Sequence, residues 1–369
     1  MTHRICVVAA IALALAVAAG AALAQEAPLL RSRFMLPVEI GGKIYQLEAM
    51  EIRPRGAGPF PLAVLAHGKP SGDAARKAMT PGMMTVQAAE FARRGYAALT
   101  ALRRGYGKSQ GPYAESDGDC NATRYPQATR TGAEETAAIA ASGIKRPGID
   151  ATRVLAAGES VGGIVALALA QSPPPGLKGA INFAGGRGGN PAQRGTVCES
   201  GKLVAAVGEL GKGALAPSLW IYAENDTLFG PALARAMFKS FTDSGGKAAL
   251  TILPRVGRDG HSVFAQGTQA WADPVDGFLK RLGLPAGIKI APPRQDPPLA
   301  IGPNGHRSFA QYQSTVMPFK AFAVSGGGGF AWAASTISLD EARREAIKQC
   351  QRNAPACRVT TQASEIEDR

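Results

Sequence analysis

Apolar and polar positions along the chain alternate in two registers, and the change from one to the other marks the elements. Phe34–Ile40 and Lys43–Ile52 are strand-length runs on either side of Gly41-Gly42, which predicts an antiparallel pair closed by a tight turn. Further on, Pro61–Ala66, Tyr96–Ala101, Arg153–Ala157, Gly179–Ala184, Leu219–Ala223 and Ala248–Pro254 are nearly continuous apolar runs of strand length. Such runs suit strands buried on both faces. Helix-length stretches lie between them, at Met83–Arg94, Glu134–Ile144, Gly163–Ala170, Leu203–Leu210, Pro231–Phe241 and Ala265–Leu282. Strands alternating with helices predict an α/β class: a mostly parallel sheet with helices on both faces. A site in such a fold belongs at the carboxyl ends of the strands.

The pattern changes after residue 283. From Leu284 to Gly305 the chain is dense in Pro and Gly, and 284–310 reads as a semi-rigid linker. Residues 311–369 then read as a small α+β C-terminal domain. Phe319–Val324 and Phe330–Ala334 flank Gly326-Gly327-Gly328 as a hairpin. Ser338-Leu339-Asp340-Glu341 is a capping box opening a helix over Leu339–Gln351, and Cys357–Thr361 is a final strand.

Candidate chemistry concentrates in Gly158-Glu159-Ser160-Val161-Gly162. A serine between two glycines, after an apolar strand and before an apolar helix, is the pattern of a nucleophile elbow. Such a serine needs a base, and the chain has four histidines. His3 lies in the N-terminal leader, His67 belongs to an upstream His67-Gly68 motif, and His306 sits in the Pro/Gly-rich stretch. His261 remains, in a loop just beyond the Ala248–Pro254 run. Asp226, after the Leu219–Ala223 strand, is the expected acid, with Glu224 the alternative. The order Ser160, Asp226, His261 is that of α/β-hydrolases rather than of the chymotrypsin or subtilisin types. Oxyanion stabilisation calls for backbone N–H groups: that of Val161 after the nucleophile, and that of Lys69, since Pro70 has no donor. Arg103–Lys108 has the tail of a phosphate-binding loop, but Leu102 stands where its first glycine belongs.

With these residues in view, 34–283 resembles the α/β-hydrolase superfamily, in its dienelactone hydrolase and prolyl-oligopeptidase-like branch. The resemblance rests on His67-Gly68, Arg104-Gly105-Tyr106-Gly107-Lys108-Ser109, Gly158–Gly163, Asp226 and His261. It implies the α/β-hydrolase fold and Ser-His-Asp chemistry without a cofactor or metal. Dienelactone hydrolases use a cysteine nucleophile where this chain has Ser160, so their substrate does not carry over. Beyond the linker, the layout resembles a small secreted bacterial module with a helix ending in Cys350 and a second cysteine, Cys357, before a strand. That module carries no catalytic constellation, which leaves binding or attachment as its role.

The N-terminus changes the setting. Arg4, the apolar run from Ile5, and Ala22-Leu23-Ala24 before Gln25 read as a signal peptide over 1–24, with an uncleaved anchor as the alternative. The catalytic domain is then 25–283, in a periplasmic or secreted protein without stable membrane insertion after cleavage. Cys6 leaves with the leader, and export makes disulfides permissible among the other four cysteines. Cys350 and Cys357, close in sequence, are expected to pair, leaving Cys120 with Cys198 to join two long loops, Arg103–Arg130 and Gly185–Ser200. No Cys-x-x-Cys spacing supports a metal.

Charge adds little. The chain carries 41 Lys and Arg against 28 Asp and Glu, a formal +13, but no basic run exceeds two residues and aromatics make up 6%. The excess is diffuse, which argues against nucleic acid. The expected function is an exported serine hydrolase cleaving a small-molecule ester through an acyl-enzyme. A short-peptide substrate and a binding protein on a hydrolase scaffold are the alternatives.

Overall fold

The computed structural model describes residues 28–369 except 293 and 300; the expected leader over 1–24 lies outside them. The elements before Ser160 are β1 (Leu29–Ile40), β2 (Lys43–Pro54), β3 (Phe60–Ala66), α1 (Asp73–Lys77), α2 (Thr85–Arg93), β4 (Ala97–Ala101), the short pair β5 (Gly118–Asp119) and β6 (Ala122–Thr123), α3 (Tyr125–Gly143) and β7 (Ile149–Glu159). After it come α4 (Val161–Gln171), β8 (Leu177–Phe183), α5 (Ser200–Gly211), β9 (Ser218–Ala223), α6 (Pro231–Asp243), β10 (Ala248–Leu253), α7 (Val263–Gln266) and α8 (Thr268–Arg281). The C-terminal part adds α9 (Pro303–Ser314), β11 (Phe319–Val324), β12 (Phe330–Ser335), α10 (Leu339–Gln351), β13 (Arg358–Ser364) and β14 (Ile366–Asp368).

Nine strands form one sheet in the order β10-β9-β8-β7-β3-β4-β2-β1-β14. The pairs β1–β2 and β2–β4 are antiparallel, and every pair from β4 through β3 to β10 is parallel. Alternate residues of β3 serve opposite faces. Ala63 and Leu65 share a cluster with Phe91 of α2 and Trp271 of α8, while Leu62 and Val64 pack with Ile139 and Ala140 of α3. An aromatic stack holds the first face: the Phe183 and Phe264 rings lie 4.0 Å apart, with Trp271 at 5.4 Å from Phe183. Each such ring buries enough apolar surface to contribute about 2–3 kcal/mol.

Three elements depart from the sequence pattern. The helix expected at Glu134–Ile144 begins at Tyr125, with Pro126 in its first turn, so the Arg103–Arg130 loop ends sooner and carries the β5–β6 pair. Thr129, Thr131 and Gly132 had masked its first turns, because tertiary packing overrides their weak helix propensity. The Ala265–Leu282 helix is two, α7 and α8, meeting at Gly267, whose N–H closes on Val263 O.

Residues 284–310 are also not a free spacer. Lys289 and Ile290 N–H groups bond Arg93 O, Tyr96 Oη donates to Pro285 O, and α9 starts at Pro303, placing His306 on the exposed face of a helix. The C-terminal part forms the three-stranded sheet β12-β11-β13 with α10 against it. Ser338 Oγ caps α10 by accepting Glu341 N–H, but the Glu341 carboxylate turns to Ser335 Oγ instead of closing the box. β14 then leaves this unit and pairs in parallel with β1. Around that seam Arg31, fully buried, donates to both Asp368 carboxylate oxygens at 2.6 and 2.8 Å and to Thr336 O and Ile337 O. Arg93 bonds Glu365 Oε2 at 3.0 Å and Glu90 Oε1 at 2.6 Å.

Candidate active site

Ser160 sits where β7 turns into α4, with φ 59° and ψ −124°. A non-glycine residue there is strained by on the order of 1–3 kcal/mol, and it persists because its surroundings over-determine it. Ser160 N–H bonds Phe183 O, and Ser160 O accepts from Gly163 and Gly186 N–H. The flanking glycines are required by close approach. A Cβ on Gly158 would lie 2.1 Å from Gly162 O, and one on Gly162 would lie 2.0 Å from Ala66 O. The turn therefore presses against the end of β3 and holds the serine at the N-terminus of α4.

His261 and Asp226 come together from the loops after β10 and β9. His261 Nδ1 faces both Asp226 carboxylate oxygens at 3.3 Å. Asp226 Oδ1 also accepts Leu228 and Phe229 N–H at 2.8 and 2.9 Å, which fixes the carboxylate plane. Asp259 joins the two loops: it accepts from His261 N and Thr227 N through Oδ1, and from Thr227 Oγ1 at 2.5 Å through Oδ2. Asn225 adds a second tie, with Val256 N donating to its side chain. The Phe229 ring packs edge-on against His261 at 5.4 Å. Burial disfavours the imidazolium, but the Asp226 hydrogen bond and charge outweigh it and raise the His261 pKa above its ordinary value. With Nδ1 turned to the acid, Nε2 is the nitrogen available to a serine. Glu224, the alternative acid, is exposed, so the pairing is with Asp226.

Ser160, Val161 and His261 line one cleft of about 500 Å³ together with Lys69, Tyr125, Arg187 and Phe229. Among the described residues Ser160 Oγ has no hydrogen-bond partner, as is common before a substrate tightens such a site. Val161 opens α4, so its N–H is one of the donors a helix leaves unpaired. Gly68 lies against Ser160, since a Cβ on it would be 3.2 Å from Ser160 Cβ. His67 is not available as a base. It is fully buried, its Nε2 accepts Arg103 N–H at 3.1 Å and its Nδ1 faces Gly68 O at 2.8 Å. Burial, and after it the Arg103 cation, push its pKa down to about 3. It shapes the loop that carries Gly68 and Lys69.

The strand order and the strained serine at the strand-to-helix turn decide the architecture. The chain has the α/β-hydrolase fold. No protein-family model and no curated protein matches it. Among the solved structures it is similar to are the following three, all of low identity. A Klebsiella pneumoniae protein assigned as a dienelactone hydrolase is 17% identical, TM-score 0.46, covering 69% of this chain and 98% of its own. A Pyrococcus furiosus esterase is 15% identical, TM-score 0.45, over 68% and 90%. A Pyrococcus horikoshii acylaminoacyl peptidase is 17% identical, TM-score 0.46, over 70% of this chain but 43% of the peptidase.

Both cysteine pairs form disulfides, Cys120–Cys198 and Cys350–Cys357. Cys120 and Cys198 line the cleft and tie its two long loops into one wall, reinforced by Glu199 accepting from Thr123 N and Oγ1. Among the described residues no His, Cys, Asp and Glu cluster could hold a metal, and no helix is long and apolar enough to cross a membrane. Sequence reasoning missed Asp259, Phe229, and a buried set of charges made by Arg103, Glu115, Asp117 and Arg187. Arg103, two residues past a strand, was their one visible signal; their partners are set by loops that only the fold brings together.

Proposed function

We propose that the protein is an exported serine hydrolase that cleaves esters through an acyl-enzyme. The observation that carries this reading is Ser160, held at positive φ on a strand-to-helix turn, in one cleft with a histidine whose Nδ1 faces a buried aspartate. Ser160 Oγ attacks the carbonyl carbon, and His261 Nε2 takes the hydroxyl proton. Asp226 holds the imidazole in that tautomer and stabilises the imidazolium. The oxyanion is received by the Val161 and Lys69 N–H groups. His261 then gives the proton to the leaving alcohol, and water enters by the same path to release the acid. The chemistry needs no cofactor.

Two disulfides support an oxidising compartment and hence the export expected from the leader. The test is a fluorophosphonate probe on the purified protein, with the adduct mapped by mass spectrometry. Labelling at Ser160 that is lost in His261→Ala supports the reading. Intact protein that stays unlabelled under conditions where other serine hydrolases react contradicts it.

A further inference from the structure

The buried charges beside the cleft form a closed circuit that starts and ends on the loop His67-Gly68-Lys69. Arg103 donates from its backbone N to His67 Nε2 and from Nη2 to His67 O, both at 3.1 Å. Its Nε bonds Glu115 Oε1 at 2.8 Å. Glu115 Oε2 faces Arg187 Nη2 at 3.4 Å, and Arg187 Nη1 bonds Asp117 Oδ1 at 2.7 Å. Asp117 Oδ2 then meets Lys69 Nζ at 3.3 Å and returns the circuit to the loop. Five groups alternate in sign, and Arg103, Glu115 and Arg187 are almost wholly buried. Burial works to raise the Glu115 pKa, but Arg103 and Arg187 outweigh it and hold the carboxyl down to about 2. Burial likewise opposes the Lys69 charge, and Asp117 more than restores it.

As a source of stability this arrangement is poor, because desolvating such ions costs about as much as their attraction returns. Apolar side chains would fill the same volume without that penalty. What ions give instead is direction: each link fixes an angle as well as a contact. The fixed object is the loop in van der Waals reach of Ser160, anchored at His67 by Arg103 and at Lys69 by Asp117. Arg187 reaches across from the opposite cleft wall, where its Nη2 also bonds Ala128 O.

We propose that Asp117 and Arg187 are positioning residues for ester hydrolysis: through the Lys69 ammonium they hold the Lys69 N–H where the oxyanion forms. This rests on the serine-hydrolase reading above. A loop of Gly and Lys before a proline has no element to fix it, and a donor misplaced by about 1 Å can cost about 10²-fold in rate. The circuit acts on the transition state more than on substrate binding, because the N–H bond strengthens as charge develops on the carbonyl oxygen.

Lys69→Met keeps the backbone N–H and removes the end of the circuit; Lys69→Arg keeps a cation able to meet Asp117. Asp117→Asn breaks the same link from the other side. Each is assayed on p-nitrophenyl acetate, with active sites counted by end-point fluorophosphonate labelling so that only folded enzyme enters kcat. The expected result is a kcat about 10–10²-fold lower for Lys69→Met and Asp117→Asn, with KM little changed. Phenylboronic acid, which mimics the tetrahedral state, should bind more weakly by a similar factor. Lys69→Arg should recover most of the loss. A merely structural link would lower Tm but leave kcat per labelled site and boronate affinity intact, and that outcome overturns the proposal. Ser160→Ala separates the two levels: an active Ser160→Ala defeats the serine-hydrolase reading, and this proposal with it. An inactive Ser160→Ala beside a fully active Lys69→Met defeats this proposal alone.

Discussion

In the proposed mechanism His261 is a base only while its Nε2 is unprotonated, so its protonation would set the acid limb of activity. Asp226 raises its pKa, and the limb of kcat/KM should therefore lie above the ordinary histidine value of 6.5. In Asp226→Asn the Asp226 charge that raises it is gone while burial remains. The limb should then move to lower pH and kcat should fall by about 10⁴-fold. A pH–rate profile of both proteins checks it; an unmoved limb would detach Asp226 from His261. His67 contributes no limb, because at about 3 it is neutral throughout the assay range. At this scale the sequence was readable for residues that follow strands: Ser160, Asp226 and His261 each stand just past an apolar run. Asp259 was not readable. Nothing in Gly257-Arg258-Asp259-Gly260 shows that its carboxylate joins two loops 32 residues apart.

The elbow is a property of two elements and the strand beside them. Gly162→Ala would drive a Cβ into Ala66 O at the end of β3, so β7 and α4 could not keep their approach. That variant should label with fluorophosphonate at least tenfold more slowly and lose about 2 kcal/mol or more of stability. Equal labelling and an unchanged denaturant midpoint would mean that the close approach is not required. Strand–turn–helix chemistry of this kind is local, which is why it could be read from five residues. The start of α3 could not, because its first turns are held by packing rather than by propensity. The charge circuit was still less legible. Arg103 and Glu115 are separated by 12 residues, but Arg187 and Asp117 by 70, and no pattern of period 2 or 3.6 links them.

At the scale of the molecule, the C-terminal unit is joined to the hydrolase unit by sheet and by charge. β14 extends the main sheet beside β1, Arg31 is buried against Asp368, and Arg93 is buried between Glu90 and Glu365. Ending the chain at Ser364 removes Glu365 and Asp368 together, taking the acid from Arg31 and leaving Arg93 with Glu90 alone. Such a loss costs about 3–5 kcal/mol, to be read from urea unfolding. A truncated chain as stable as the full one would show the unit to be a detachable module after all. Acid stability rests on other buried groups. The depressed pKa of His67 contributes stability that is present above 6.5 and lost as pH falls toward about 3, by at most about 1.4 kcal/mol per pH unit. Glu115 has the same sign, over a window from 4.5 down to about 2. The raised pKa of His261 has the opposite sign: its contribution is present below 6.5 and lost as pH rises through the folded value. Urea midpoints should therefore fall steadily from pH 6 to pH 4; a flat profile would contradict the locked, neutral His67.

The most direct test of the central claim is hydrolysis of a p-nitrophenyl ester series by the chain from Gln25, beside Ser160→Ala. Turnover by the first and a loss of about 10⁶-fold in kcat by the second are expected, with both folded to the same Tm. Equal rates in the two proteins would remove Ser160 from the mechanism and contradict the account.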